Sequence, residues 1–163
     1  IQNTATDIGR RGRDDFSGHG VVNPRAAVTL RAPTDDADEV NDDVKWVSRP
    51  ISLNQRKPAT IKASADRVED PDDVYAVRLR KGERLRMDLS HRRGTLDLYL
   101  WSPGTRTVST GSSNLARHLV RFRSGVKRRT VMTVRAPKAG LYYVNVFARA
   151  GKSTYTLRLT RKR

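Results

Sequence analysis

Cysteine is absent from the 163 residues, which excludes disulfide bonds and metal sites built on thiolates. Long apolar runs are missing too, since no stretch reaches the roughly 18 apolar residues of a transmembrane helix. The chain has no apolar core of a signal peptide, and it begins with Ile rather than Met. We therefore expect no membrane span, and we interpret the chain as part of a longer protein.

Acidic residues are scarce in one part of the chain and crowded in another. The whole chain has 33 Lys and Arg against 17 Asp and Glu, a net charge of +16. Residues 35–73 hold 11 of these acidic residues, whereas residues 74–163 hold 3 against 22 basic ones. An acidic segment thus lies within a basic protein, and the basic part requires a nucleic-acid or polyanion function to be weighed.

Motifs for enzymatic chemistry are also lacking. The sequence has no G-x-G-x-x-G, no P-loop and no H-E-x-x-H. The Ser- and Asn-rich stretch 111–116 lies between predicted strands, so we interpret it as a surface loop rather than the turn of a nucleophilic serine. His19 lies in a glycine-flanked turn, and His91 and His118 have no partner pattern. We expect no catalytic residue and no organic cofactor in this chain.

What the sequence does have is a strong alternation of apolar and polar residues in its C-terminal two thirds. Dipeptides that end in glycine, which are typical of turns, separate the alternating runs. Weaker strands are expected at 51–53, 59–63, 117–122 and 130–135. This pattern predicts eight or nine antiparallel strands in two packed sheets, a mainly β, jelly-roll-like sandwich. The alternating triplets are Tyr75, Val77, Leu79; Leu85, Met87, Leu89; Leu96, Leu98, Leu100; Val144, Val146, Ala148; and Tyr155, Leu157, Leu159.

The first 34 residues differ from this pattern. Asn23 and Pro24 are typical of a helix cap and first turn, and Pro33 should end the short helix. The polar stretch 34–43 has no period and indicates a linker. We therefore divide the chain into residues 1–34, an acidic linker at 35–45, and a β-sandwich at 46–163.

The opening segment resembles the end of a subtilisin-like serine protease domain. The carrying residues are Thr4-Ala5-Thr6-Asp7-Ile8-Gly9, then Gly12, Asp14, Gly18-His19-Gly20-Val21-Val22-Asn23-Pro24 and Ala27. In that family a turn and a capped helix of this kind follow the catalytic serine helix. The resemblance implies that residues 1–34 are the loop–helix remnant of an α/β catalytic domain whose active-site residues lie upstream.

The remainder, from about Asp38, resembles the bacterial pre-peptidase C-terminal domain, an accessory β-sandwich of secreted peptidases. The carrying residues are Asp38-Glu39-Val40-Asn41-Asp42, Asp70-Pro71-Asp72-Asp73-Val74-Tyr75, Lys81-Gly82, Asp97-Leu98-Tyr99-Leu100, Gly140-Leu141-Tyr142-Tyr143-Val144 and Tyr155-Thr156-Leu157. The two resemblances together imply a secreted, extracellular subtilisin-like endopeptidase with a non-catalytic C-terminal domain. Its partners would be the catalytic domain in cis and a protein or polysaccharide substrate.

An alternative function is a free-standing module that binds an anionic polymer, such as a cell-wall polymer, a glycan or nucleic acid. Many arginines alternate with apolar residues, as Arg78, Arg80, Arg84 and Arg86 do, which is typical of the solvent face of a half-buried strand. No RNA- or DNA-binding motif organises them, so we expect no specific nucleic acid. Tyr99 and Trp101 should face away from the core, either as cover for a sheet or as a binding surface.

The acidic segment also predicts a calcium site. Crowded carboxylates repel one another unless they are solvated or bridged by a cation, and Ca²⁺ prefers carboxylate and amide oxygens. The resemblance extends to calcium-binding modules of bacterial collagenases, and it implies the ligands Glu39, Asn41, Asp42, Asp70 and Asp73. Those modules have an acidic residue where Ala37 stands here. The alternative is a solvated linker followed by an ordinary Asp-Pro turn.

Overall fold

The computed structural model describes residues 4–8, 16–18, 20–29, 40–47, 49–68, 70–108 and 112–162. The chain forms two compact units, Ile1–Asp35 and Asp36–Arg163. The sequence-based division into 1–34, 35–45 and 46–163 stays a prediction.

The first unit contains one helix in its described part, α1 (Pro24–Thr29). The amide of Ala26 donates to the Asn23 side chain at 2.9 Å, so the predicted cap and first turn are confirmed. Thr6 and Val21 exchange two backbone hydrogen bonds of 2.8 and 2.9 Å. A Cβ at Gly20 would collide with the Thr6 carbonyl, which explains the glycine there. The predicted helix end at Pro33 lies outside the described residues.

The described part of the second unit is built from eight strands and little helix. A 3₁₀ turn (Val44–Trp46) precedes the strands, and helix α2 (Ser112–His118) follows the fourth. None of the described helices has the length and hydrophobicity needed to cross a membrane. The strands are β1 (Ala59–Asp66), β2 (Asp72–Leu79), β3 (Arg84–His91), β4 (Thr95–Trp101), β5 (Leu119–Arg123), β6 (Arg129–Arg135), β7 (Gly140–Ala150) and β8 (Lys152–Lys162).

The strands form two antiparallel four-stranded sheets, with orders β1-β8-β3-β6 and β2-β7-β4-β5. The predicted fold class is confirmed, because the chain is mainly β and its eight strands lie in two sheets as in a jelly roll. The alternating triplets predicted from the sequence form the core between the sheets. Leu85, Met87, Leu89, Leu157 and Leu159 are completely buried there.

One of the weaker predicted strands is wrong, and another is confirmed with a shifted start. The segment 51–53 forms no strand, because Ile51 makes a single parallel bridge to Val77 and Pro50 and Pro58 flank the segment. The strand predicted at 117–122 is confirmed as β5, which begins at Leu119 because Arg117 and His118 belong to helix α2.

Helix α2 also replaces the loop expected at the Ser- and Asn-rich stretch. Leu115 of α2 packs on an apolar cluster that contains Val74 and Trp101, and this tertiary contact outweighs the weak helix propensity of Ser and Asn.

Candidate functional site

The outer side of sheet β2-β7-β4-β5, which we call the covered face, carries a second apolar cluster. Val74, Trp101 and Val108 are buried there, and Tyr99 is 9% exposed. The rings of Tyr99 and Trp101 stack with centroids 5.9 Å apart. As expected, both side chains point away from the main core. Trp101 lies under other residues and therefore presents no surface to a ligand.

At one end of the covered face lies an internal acid–arginine contact. The side chain of Asp97 is 2% exposed, and its Oδ1 accepts a 2.8 Å hydrogen bond from the amide of Gly125. Its Oδ2 lies 3.4 Å from Nε of Arg149. A Cβ at position 125 would collide with the Leu96 carbonyl, so only glycine brings that amide to the carboxylate.

A second acidic position on the covered face, Asp72, is electrostatically unusual. Its pKa is raised from 3.8 to about 6, chiefly by burial, and the carboxylates of Asp43 and Asp42 contribute to the rise. The amide of Asn145, 2.9 Å away, and the charge of Arg67 act in the opposite direction. A carboxylate in such a place is stabilised by a proton or by a bound cation.

Beside Asp72 lies a buried amide oxygen that lacks a hydrogen-bond donor among the described residues. Asn145 is completely buried, and within the described ranges its Oδ1 accepts no hydrogen bond. Asp43 Oδ1, in contrast, accepts from the amides of Val44 and Val108 at 2.8 and 2.9 Å and so holds the segment before β1 against the loop after β4. A buried amide oxygen beside carboxylates is a donor set that suits Ca²⁺.

The five predicted calcium ligands are only partly brought together. Asn41 is buried, and its carbonyl accepts from the amide of Val74 at 2.9 Å. Asp42 lies close enough to Asp72 to raise its pKa. Asp70 exchanges two backbone hydrogen bonds with Asp66, of 2.7 and 3.0 Å, just before β2 begins. Glu39 lies outside the described residues.

Asp73 lies on the other side of β2. Successive side chains of a strand face opposite ways, so Asp72 is on the covered face and Asp73 points into the core. There Tyr155 donates to Asp73 Oδ2 at 2.7 Å, and the hydroxyls of Tyr75 and Tyr155 are 2.7 Å apart. Because the Tyr155 proton goes to Asp73, Tyr75 donates to Tyr155. Burial raises the pKa of Tyr155 well above 10, so this chain keeps its protons.

The fit of the residues to a metal ion is therefore partial. No group of three or more His, Asp or Glu able to hold a metal is found in the described ranges, which leave out Glu39. Asn41 is hydrogen-bonded to β2 and Asp42 lies near Asp72, whereas Asp70 is hydrogen-bonded to Asp66 and Asp73 points into the core. Asp72 belongs to the acidic segment 35–73 but not to the five predicted ligands, and Asn145 was not expected from the sequence. The available signal was an asparagine inside an otherwise apolar strand, where asparagine is rare.

The histidines and the Ser-rich stretch show no catalytic arrangement where they are described. Both ring nitrogens of His91 face backbone carbonyls, those of Arg93 at 2.9 Å and Lys127 at 3.2 Å. The Asn114 side chain donates to the Thr107 carbonyl at 2.9 Å, which tethers helix α2. Position 19 lies outside the described residues.

A groove runs between β1 and β2, the edge strands of the two sheets. It is lined by Trp46, Arg49, Ile61, Lys62 and Tyr75, among others. Trp46 is 52% exposed, and Nζ of Lys45 lies 4.7 Å from its ring. The edge of β2 is partly paired, by the amide of Ile51 with the Ala76 carbonyl and by the Asn41 carbonyl with the amide of Val74. An exposed aromatic side chain in a groove is a feature that can hold an extended polypeptide.

The sequence matches no family model and no curated protein sequence. Among solved structures, PliG of Aeromonas hydrophila, a periplasmic inhibitor of g-type lysozyme, is similar at 14% identity and a TM-score of 0.49, covering 69% of this chain and 94% of that one. The pre-peptidase C-terminal domain of a Bacillus anthracis collagenase is similar at 20% identity and a TM-score of 0.46, covering 71% and 99%. These similarities concern the fold and say nothing about activity or ligand.

Proposed function

We propose that this chain is the C-terminal part of a secreted subtilisin-like serine endopeptidase and that its second unit is a non-catalytic accessory domain. The domain would aid folding, secretion or substrate engagement. The observation that carries the proposal is the pairing in the first unit. The two segments that resemble the end of a subtilase domain are joined by the Thr6–Val21 hydrogen bonds and lead directly into the Asn23-capped helix.

The architecture of the second unit supports an accessory role. Its buried polar side chains serve internal contacts, such as the Tyr75–Tyr155–Asp73 chain and the Asp97–Gly125 hydrogen bond. Its accessible features are a groove with Trp46 and a charged sheet. Such features bind macromolecules without chemical change.

The sequence upstream of Ile1 tests the parent enzyme. Under the proposal, D-[ST]-G, H-G-T-H and G-T-S-M-A motifs precede this chain in that order, because they supply the Asp, His and Ser of the triad. An upstream sequence without them would refute the subtilase assignment.

Activity assays on the 163-residue chain test its non-catalytic character. We expect no turnover of casein or of peptide esters. Turnover that a serine-directed phosphonate abolishes would overturn the proposal. A positive control is the same chain preceded by its natural upstream sequence, which should hydrolyse both substrates.

The accessory role is tested in the parent protein by a stop codon in place of Asp36. Loss of secreted yield, or loss of insoluble-protein cleavage with peptide-ester turnover unchanged, would support it. Trp46→Ala in the full-length protein alters the groove without removing the domain. It therefore separates an effect on secreted yield from an effect on the cleavage of insoluble protein. If neither yield nor either activity changes on truncation, the domain has no accessory role.

We further propose that the region around Asp72 binds Ca²⁺ through residues from the predicted set, Asn41, Asp42 and Asp70 foremost. The raised pKa of Asp72 and the donor-free oxygen of Asn145 support this. Millimolar Ca²⁺ should raise Tm, because a ligand of the folded state stabilises it. Asp70→Ala should abolish that gain, whereas Asp88→Asn, on the other sheet, should keep it. A Tm that neither Ca²⁺ nor chelator changes leaves an ordinary acidic loop.

A further inference from the structure

The outer side of sheet β1-β8-β3-β6, which we call the open face, has a composition unlike that of the covered face. Along each strand the inward residues are mostly apolar and the outward ones are mostly Arg, Lys, Thr or Ser. Burial follows the same alternation: on β8, for example, Thr154 and Arg158 are exposed while Tyr155 and Leu157 are buried. The result is a broad polar surface on a rigid sheet.

A row of like charges crosses this face. Arg84 on β3 is directly opposite Lys162 on β8 and directly opposite Arg135 on β6. Side chains paired in this way have Cβ atoms roughly 4.5–5.5 Å apart, and like charges at that distance repel. The next row places Arg86 between Thr160 and Thr133.

The open face has too few carboxylates to neutralise these cations. Arg129 donates two hydrogen bonds to Asp88, of 2.7 and 2.9 Å, and Arg86 lies 3.5 Å from the same carboxylate. Asp66, at the other end of the face, lies 3.7 Å from Nζ of Lys152.

The three cations of the row form no ion pair with a described carboxylate. Arg135 donates to the Gly82 carbonyl at 3.2 Å. Arg84 and Lys162 form no ion pair with any described residue. Cations that lie opposite one another without counter-charges create a positive potential, and this potential attracts an anionic ligand.

The surroundings of the row indicate which class of anion fits. Hydroxyl side chains lie next to the row, since Thr160 and Thr133 are on either side of Arg86. Donors and acceptors for sugar hydroxyls therefore lie beside groups for carboxylate or sulfate. The outward positions of the four strands include no aromatic residue for stacking on nucleobases. Helix α2 of the same unit packs on the covered face, so it is not placed on the open face to enter a DNA groove. From this placement we infer that the open face, centred on Arg84, Lys162 and Arg135, binds an acidic polysaccharide. The inference does not depend on the accessory role.

The experiment measures binding of the 163-residue chain to a heparin-derived oligosaccharide and to polygalacturonate at physiological salt. The test variant is Arg84→Gln/Lys162→Gln. The matched control is Arg121→Gln/Arg123→Gln, which removes the same charge from exposed positions on β5 of the other sheet. Arg135 is kept because it bonds to the Gly82 carbonyl.

We expect the test variant to bind about tenfold more weakly and to lose about two from the slope of log Kd against log salt, since two ionic contacts are removed. The control should stay within about twofold of the unaltered chain. Saturating oligosaccharide should raise the Tm of the unaltered chain and raise that of the test variant less, which shows that the variant is folded and that its site is damaged.

Three results would overturn the inference. One is no binding of either probe at physiological salt. Another is an equal loss in both variants, which means diffuse attraction by net charge. The third is tighter binding of duplex DNA or polyglutamate than of the acidic oligosaccharides, which assigns the face to another class of polymer. Uncharged dextran serves as the blank.

Discussion

The two sheets share one inner design and differ on their outer sides. The covered face holds Trp101 and Tyr99 beneath a second layer made by the 3₁₀ turn, the loop after β4 and helix α2. The open face presents Arg84 and its neighbours to solvent. Both sheets come from the same alternation in the sequence. The difference shows that the identity of the outward residue decides whether a sheet acquires a second layer or stays accessible for a ligand.

The pKa of a carboxylate is shifted in opposite directions on the two faces. On the covered face, burial raises the pKa of Asp72 to about 6. On the open face, the hydrogen bond from Arg129 lowers the pKa of Asp88 below 3.8. Desolvation is the main influence in the first case and a charged partner in the second.

Truncating one outward side chain on each face should give the largest difference in the free energy of unfolding. Trp101→Ala should lower the free energy of unfolding by about 3–5 kcal/mol, because it removes a completely buried ring and leaves a cavity. Arg158→Ala, its counterpart on the open face, should change it by less than about 0.5 kcal/mol. Urea unfolding monitored by circular dichroism measures both. Similar costs for the two variants would show that the faces are not differently packed.

The pH dependence of stability should differ between the faces, measured in chelator. Between about pH 4 and 6 the folded chain keeps the Asp72 proton while the unfolded chain releases it, so stability falls as pH rises, by on the order of 2–3 kcal/mol. Asp72→Asn should remove this fall. Asp88 has the opposite sign: its contribution is present above about pH 3.8 and is lost as pH falls through its lowered pKa. If Asp72→Asn leaves the pH profile unchanged, Asp72 is not the buried group inferred here.

Removing a carboxylate from each face should give a smaller difference in the free energy of unfolding. Asp97→Ala should cost roughly 1–3 kcal/mol, because the buried Gly125 amide loses its acceptor. Asp88→Ala should cost less than about 1 kcal/mol, as expected for a solvent-facing ion pair. Thermal unfolding at neutral pH tests the order. A larger cost for the Asp88 variant would mean that the open face is structural rather than accessible.

The smallest effect should come from relieving the cationic row. Arg84→Gln should raise Tm slightly at low salt, because it removes a charge opposite Lys162 and Arg135. The gain should vanish at high salt, where the repulsion is screened. Arg121→Gln on β5, outside the row, is the control and should give a smaller gain. A fall in Tm for Arg84→Gln at low salt would show that this side chain has a stabilising partner instead.

Much of the fold could be predicted because short-range physics fixes it. The triplets such as Leu85, Met87 and Leu89 alternate with polar residues and can bury only one side of a strand, and Asn23 with Pro24 starts a helix by local hydrogen bonding. Helix α2 could not be predicted in this way. Ser112–His118 has no strong helical period, and the apolar cluster that receives Leu115 is assembled from distant strands.

The candidate calcium site likewise has features that the sequence shows and features that depend on contacts between distant residues. The acidic crowding around Asp70 and Asp72 is visible in the sequence, but the partition of Asp72 and Asp73 to opposite sides of β2 requires the register of the strand. The arrival of Asn145 beside Asp72 depends on the pairing of β2 with β7, which are 73 residues apart at this contact.

The sequence by itself determined the strands, the capped helix, the absence of thiolate chemistry and the excess of positive charge, since each depends on residue type and local spacing. The tertiary structure decided which outward residues meet. It stacked Lys162, Arg84 and Arg135 in one row and buried Trp101 under a second layer. Pairing between distant strands sets these neighbours, and sheet register has no signature in local sequence beyond the choice of inward face.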